Sequence, residues 1–237
     1  MNKTFRNISI VIVGIVLIVT VIMYAQRHTS PKKPQGEPTM IDVSTETLVK
    51  SVTDSDLTTL QAILNTGTYE INATNSKQEP LILIATHNNN IEIAQLLIDN
   101  GANVNLQDTI QDSAYLNAGA QGRTEILDYM LQNTDIDFSV VNRYGGNTLI
   151  PAAEKGHIDT VRLLVANPNI DINFQNNFGY TALIEAVALT DGSKTYQDIV
   201  QILVDNGADT KIRDNSGKTA LDYAQERQFD AMIAILQ

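Results

Sequence analysis

The sequence predicts an all-α solenoid of about six helix-turn-helix units, each followed by a hairpin loop. Two observations lead to this prediction. Motifs of one form, a glycine followed two residues later by Thr or Asn and then by an apolar run, begin at Gly145, Gly179 and Gly217. The Thr position of this motif recurs at intervals of 33 to 38 residues, at Glu46, Pro80, Ser113, Asn147, Thr181 and Thr219. A fixed period in this range is typical of repeat architectures.

The spacing of apolar residues predicts two helices in each repeat. In the fourth repeat, Asn147–Leu149 opens the first helix, residues 154–157 form a turn, and Ile158–Val165 is an amphipathic second helix. Similar second helices are predicted at Ile91–Asp99, Glu125–Leu131, Gln197–Val204 and Asp230–Leu236. Because each has an apolar face, these helices have to be buried against neighbouring repeats.

The motif is similar to that of a known family. The eight residues that begin at Gly179, Gly-Tyr-Thr-Ala-Leu-Ile-Glu-Ala, resemble the G-x-T-P-L-H-x-A signature of ankyrin repeats, and especially that of bacterial ankyrin-repeat proteins. The resemblance covers residues 46–237 and implies an ankyrin-repeat solenoid. The predicted repeats lie at about 46–78, 79–111, 112–145, 146–179, 180–217 and 218–237.

Two features depart from the family pattern. The position of the signature His is filled by an aliphatic residue in four repeats and by Asp in the last, namely by Leu83, Leu116, Ile150, Ile184 and Asp222. We therefore expect aliphatic packing in place of the histidine hydrogen bonds. The fifth repeat has about five extra residues around Leu189–Lys194. We expect this insert to lengthen the turn between the helices and to project from one face of the solenoid.

The N-terminus predicts a single transmembrane helix over residues 1–26. Asn7–Gln26 carries no charge, and twelve of the 18 residues in Ile8–Ala25 are Ile, Val or Leu. At about 1.5 Å per residue this helix is roughly 27 Å long, close to the thickness of a bilayer core. We expect an uncleaved signal-anchor, and the alternative is a signal peptide whose cleavage releases the protein.

The segment at 27–42 predicts an extended stalk between the membrane helix and the repeat domain at 43–237. It contains Pro31, Pro34 and Pro38 among polar residues, a composition that favours polyproline-type conformation over a packed core. Basic residues lie on both sides of the membrane helix, so the positive-inside rule gives nearly a tie. Because the amino tail is short, we expect it to stay in the cytoplasm and the repeats to lie outside the cytoplasm.

Composition excludes several classes of function. The chain has no Cys, which removes disulfides, thiol nucleophiles and lipoprotein attachment. All 27 acidic residues lie at or after Glu37, so the repeats carry a net negative charge. We expect this charge to repel nucleic acid and anionic lipid, and it also keeps a solenoid soluble. The histidines His28, His87 and His157 have no partner at metal-ligand spacing, so we predict no metal, no cofactor and no catalytic residues.

The resemblance implies that partner-binding residues lie at the hairpin tips and on the adjoining side of the first helices. Ile110, Tyr144 and Phe178 occupy the same slot in successive repeats, and they form either a line of contacts for a partner or packing between hairpins. The tip candidates are completed by Arg143, Asn177, Tyr180 and Asn215, and the candidates beside the turn are Glu154 and Lys155.

We therefore interpret the sequence as a monomeric, non-enzymatic interaction module, held at the cell membrane by a single pass and bound to a protein partner. A second hypothesis is a stoichiometric inhibitor or immunity protein that masks a toxin or an enzyme, since the acidic domain would suit a basic target. A third is an enzyme or small-molecule-binding protein, which would require a closed polar pocket with perturbed carboxylates.

Overall fold

The computed structural model describes residues 44–237, which form twelve helices arranged as six helix pairs. The first helices of the pairs are α1 (Thr45–Thr53), α3 (Leu81–His87), α5 (Ala114–Ala120), α7 (Leu149–Glu154), α9 (Ala182–Ala188) and α11 (Ala220–Arg227). The second helices are α2 (Leu57–Thr66), α4 (Ile91–Asp99), α6 (Thr124–Asn133), α8 (Ile158–Val165), α10 (Lys194–Asp205) and α12 (Asp230–Leu236). The predicted all-α stack of about six repeats is confirmed.

The helices stack in two layers. Each first helix packs on the first helix of the next pair, and from α4 onward each second helix packs on the next second helix. The apolar stripes predicted from the sequence fill the space between the layers, as shown by Leu97, Leu127, Leu164 and Leu203, which are fully buried. The core is therefore a continuous band that runs through the described part of the chain.

The first helices are apolar where the family signature has its histidine. Leu83, Leu116, Ile150 and Ile184 are all buried, so aliphatic packing does replace the imidazole. In the last pair the position holds Asp222, which forms a capping box with Thr219: each side chain bonds the backbone N–H of the other residue. This arrangement satisfies two backbone donors that a helix start leaves free.

The second helices match the sequence predictions closely, except in the fifth pair. There α10 begins at Lys194, three residues before the predicted start, and it is 12 residues long. The turn before it spans Leu189–Ser193, two residues more than the corresponding turn at Asn88–Asn90. The extra residues are thus divided between the turn and the second helix.

Most residues of the insert are exposed, as expected, but two of them are held against the last repeat. Thr190 is buried, and its carbonyl oxygen accepts a hydrogen bond from the guanidinium of Arg227 in the last pair. The backbone of Gly192 lies against the ring of Phe229, where a Cβ would come within 2.7 Å of the ring. Leu189 alone presents a large exposed apolar side chain in the turn.

The predicted transmembrane helix at 1–26 and the predicted stalk at 27–42 lie outside the described residues. Within residues 44–237, no helix has both the length and the hydropathy needed to span a bilayer. The membrane predictions therefore stay predictions.

Two loop glycines adopt the same left-handed conformation in different surroundings. Gly179 has φ of +78° and Gly217 has φ of +83°. A Cβ on Gly179 would lie 2.7 Å from the backbone nitrogen of Asn215, whereas a Cβ on Gly217 would meet no atom within 4 Å. The first glycine is therefore required by conformation and by close approach of the next hairpin, and the second by conformation alone.

We expect Gly217→Ala to lower the free energy of unfolding by about 1–2 kcal/mol, because an L-residue resists positive φ. Gly179→Ala should lower it by more, because the methyl group also collides with the backbone of the next hairpin. Urea unfolding of both variants measures the difference. Equal losses of unfolding free energy would show that the next hairpin moves away from a methyl group at residue 179 without any loss of stability.

Candidate functional site

Each hairpin loop is built on the side chain of one Asn or Asp. The Oδ1 atom of Asn142 accepts hydrogen bonds from the backbone N–H groups of Tyr144 and Gly146, at 2.9 and 3.0 Å. Asn176 does the same for Phe178 and Tyr180, at 2.9 and 3.0 Å. Equivalent pairs of bonds are made by Asn75, Asp108 and Asp214. These bonds fix the loop backbone and hence the direction of each tip.

Three of the predicted tip residues are large apolar side chains that the loops hold in solvent. Ile110 is 52% exposed, Tyr144 is 50% exposed and Phe178 is 55% exposed. All three occupy the same position in their loops, two residues after the Asn or Asp. The guanidinium of Arg143 lies 4.8 Å from the ring centroid of Tyr144, an arrangement that favours a cation–π contact.

The tips of the third to fifth hairpin loops are joined mainly through backbone groups. The N–H of Asn177 donates to the carbonyl oxygen of Tyr144 at 2.9 Å, and the N–H of Asn215 donates to that of Phe178 at 3.1 Å. The side-chain amide of Asn215 also donates to the carbonyl oxygen of Asn177 at 2.9 Å. The predicted residues Asn177 and Asn215 thus link neighbouring hairpins, while the rings beside them stay half exposed.

Tyr180 contributes to the packing of the last repeat more than to the surface. Its ring lies 6.2 Å from the rings of both Phe178 and Tyr223, measured between centroids, and the contact with Tyr223 is edge-on. The two tyrosine hydroxyls are 3.3 Å apart. Tyr180 therefore packs against the ring of Phe178 and is itself only partly exposed.

A groove runs between the hairpin tips and the first helices, in two adjoining sections. The larger, which we call the polar section, has a volume of about 580 Å³, and its lining includes His87, Asp112, Asn117, Arg123, Arg143 and Lys155. The aromatic section, of about 440 Å³, is lined by Ile150, Asn176, Phe178, Tyr180, Glu185 and Leu189 among others. Asn142, Tyr144, Pro151 and Glu154 line both. The structure therefore brings most of the predicted site residues to one surface.

The floor of the aromatic section holds a buried carboxyl group that the sequence analysis did not single out. Glu185 lies in α9 and is 7% exposed. The side-chain amide of Asn176 donates a hydrogen bond of 2.8 Å to its Oε1 atom. Burial first, and the neighbouring carboxylate of Glu154 second, raise the pKa of Glu185 to about 7, against the lowering effect of the Asn176 bond.

The polar section contains a histidine between two carboxylates. The Nδ1 atom of His87 lies 3.7 Å from an oxygen of Glu79, and its Nε2 atom lies 3.7 Å from Oδ2 of Asp112 in the next repeat. Interaction with Asp112 raises the pKa of His87 above its usual value, although partial burial opposes this. Asn117 donates to the same Asp112 oxygen at 2.9 Å. These contacts tie the second and third repeats together.

The residues that the sequence analysis missed were detectable only in part. An Asn or Asp stands five residues before the Thr position of every repeat from the second onward, so the loop-forming side chains had a periodic signal. Glu185 and His87 have no such signal, because their roles come from the neighbouring repeats. No group of His, Asp or Glu side chains in residues 44–237 is placed to hold a metal ion.

A stack of helix pairs with a groove beneath regular hairpin tips is a helical-repeat scaffold. Comparison with known proteins identifies its family. A family model described as ankyrin repeats in three copies matches residues 48–142, 81–176, 115–214 and 149–237. The putative ankyrin repeat protein YahD of Escherichia coli K12 is 34% identical over 167 residues, which is 70% of this chain and 83% of YahD.

Solved structures agree with this comparison. The ankyrin repeat protein EF0377 is 52% identical with a TM-score of 0.81, over 82% of this chain and 98% of its own. The ankyrin repeat domain ABAYE2397 of Acinetobacter baumannii AYE is 41% identical with a TM-score of 0.76, over 80% of this chain and 95% of its own. The chain belongs to the ankyrin-repeat family, whose repeats typically bind other proteins and are usually non-catalytic.

The raised pKa of Glu185 predicts a change of stability with pH. Because this pKa is about 7 in the folded chain and 4.5 ordinarily, the folded state binds more protons between these values, and stability falls as pH rises. We expect Glu185→Gln to remove up to about 3 kcal/mol of this loss. The variant should therefore be more stable than the wild type at pH 8 and no more stable at pH 4.

Urea unfolding of both chains from pH 4 to pH 8 measures the effect. Their difference cancels contributions from other groups, including His87. A difference that does not change with pH would contradict the account of Glu185.

Proposed function

We propose that this chain is a non-enzymatic scaffold that binds a protein partner along the groove between the hairpin tips and the first helices. The observation that carries the proposal is the row of Ile110, Tyr144 and Phe178, each about half exposed at the same loop position. Binding hot spots favour aromatic residues and arginine, and both stand at the third tip, in Arg143 and Tyr144.

The loops do not need these side chains for their own folding. Each loop is closed by its Asn or Asp side chain, and the hairpins of Tyr144 and Phe178 are joined to the next hairpin by backbone hydrogen bonds. A half-exposed ring leaves much of its apolar surface in water at an unfavourable free energy of about 25 cal/mol per Å². Burial of this surface by a partner would recover that free energy.

The family supports a protein as the partner class. Ankyrin repeats typically serve protein–protein interaction, and the solenoid offers an extended surface suited to a macromolecule. The groove is partly open to solvent, and its two sections adjoin at Tyr144 and Glu154. An extended segment of a partner could lie across successive repeats.

The site of action that we propose is the cell membrane. The support is the uncharged, strongly apolar run at Asn7–Gln26 and the Pro-containing segment at 27–42 that follows it. In this proposal the run is a single-pass signal-anchor and the repeats lie outside the cytoplasm. Secretion after cleavage near Ala25 is the alternative.

Joint replacement of Tyr144 and Phe178 by Ala should weaken capture of partners from a detergent extract of the native membrane fraction by at least tenfold. The physical reason is the loss of apolar contact area at two adjacent tips. The melting temperature should change little, because the backbone bonds of the loops remain. Quantitative pull-down and thermal unfolding of the full chain measure the two effects.

Tyr129→Ala is the matched control, since this tyrosine lies on α6 and lines neither section of the groove. It should leave partner capture unchanged. If the double variant instead melts much lower, the rings are structural and the assignment of the tips as the binding surface is wrong.

Protease treatment of intact cells should digest a C-terminal epitope on the full chain while a cytosolic control protein survives. This result is expected because the proposed orientation exposes the repeats outside the cytoplasm. Cell fractionation of the same culture distinguishes an anchored chain from a secreted one. Protection in intact cells with digestion after lysis would reverse the proposed orientation.

A further inference from the structure

We propose that the aromatic section of the groove binds an arginine side chain that the partner carries within a short apolar segment. This inference rests on the proposed function and adds to it the chemistry of the partner. It follows from the walls of the section, the charge of its floor and the hydrogen-bonding capacity left on that floor.

The walls of the section are apolar and aromatic. Tyr144, Phe178 and Tyr180 contribute rings, and Leu189 contributes an aliphatic side chain that is 51% exposed. Phe178 and Tyr180 lie together, with ring centroids 6.2 Å apart at a tilt of 39°. Aromatic faces attract cations and also accommodate apolar groups, so these walls suit a cationic side chain flanked by apolar neighbours.

The floor of the section is acidic, and no cation of the described residues balances it. Glu154 and Glu185 are the charged side chains in its lining, and both are acidic. Within residues 44–237, no Lys, Arg or His forms an ion pair with either of them. Two carboxylates that are close enough to raise a pKa repel each other, and a cation between them would convert this repulsion into attraction.

Glu185 has an oxygen available for a donor. Its Oε1 atom accepts the bond from Asn176, and its Oε2 atom makes no hydrogen bond to any residue in the part of the chain that the structure describes. The side chain is nonetheless 93% buried, being 7% exposed. Because Oε2 is not among the buried polar atoms that lack a partner, it keeps some solvent exposure, and a guanidinium N–H group in the groove can donate a charge-assisted hydrogen bond to it.

Guanidinium suits this section better than ammonium. It is planar and stacks on aromatic rings, and it donates to two acceptors at once. It is also less strongly hydrated, so its transfer to a site between aromatic rings costs less free energy. The polar section does not offer the same environment, because Arg123, Arg143 and Lys155 contribute positive charge there.

The test is selection of peptides from a random 12-residue phage library on the full chain in detergent micelles. We expect the selected peptides to contain Arg next to apolar residues. Their affinity should fall at least tenfold on the Glu154→Gln/Glu185→Gln double variant, and equally when the Arg is replaced by citrulline, which is neutral and of the same shape. Glu125→Gln, an exposed change on α6 outside the groove, is the matched control and should change nothing.

Several outcomes would overturn the inference. Peptides that bind the Gln double variant as well as the wild type but lose affinity on the Tyr144→Ala/Phe178→Ala chain would leave the proposed function standing and exclude the arginine. Peptides insensitive to both variants, or no enrichment at all, would count against both proposals. At least tenfold tighter peptide binding after replacement of Arg27, Lys32 and Lys33 by Gln would show that the chain's own basic segment occupies the section, and not a partner.

Discussion

One side chain in each hairpin loop holds the backbone on which the surface of this protein depends. An Asn or Asp at the start of the loop accepts two backbone N–H groups, so the loop is closed without a long β-ladder or a buried apolar plug. Because the bonds are local, the residue two positions later is free to point into solvent. Ile110, Tyr144 and Phe178 stand at that position, and their exposure follows from it.

The first helices complete the surface. From α3 to α9 each one has another first helix packed on both sides, so positions that would be exposed on an isolated helix become the floor of a groove. Glu185 shows the result, since a carboxyl group at such a position is almost fully buried and has a raised pKa. Such a group opposes folding above neutral pH, and perturbed carboxyl groups in clefts are typical of functional sites. The same residue therefore links the stability of the fold with the chemistry of the groove.

The sequence predicts the architecture well because the architecture is periodic. The spacing of Thr positions and of aliphatic stripes determines the number of repeats, and the second helices at Ile91–Asp99, Ile158–Val165 and Asp230–Leu236 begin and end where the pattern predicts. The start of α10 was missed because an insertion breaks the period there. The insertion contacts Arg227 and Phe229, which belong to the next repeat, and the local sequence pattern does not contain such contacts.

The candidate site is less predictable, because its properties depend on contacts between residues from different repeats. The tip residues were recognisable from their position in the motif, but Asn177 and Asn215 proved to join hairpins as well, since their backbone groups meet the preceding loop. Glu185 occupies a variable position of the motif, where Asn117 and Pro151 stand in other repeats. Its burial and pKa depend on Asn176 and Glu154, which lie in different elements and meet only in the folded stack.

The central claim is that recognition takes place in the groove under the hairpin tips. Amide hydrogen exchange of the full chain, with and without its captured partner, tests this claim most directly. The account predicts slower exchange on binding in the loops and first helices that line the groove, around 106–121, 140–155 and 174–190, and unchanged exchange in α4, α6, α8 and α10. Protection confined to those second helices would place the partner on the opposite layer and contradict the claim.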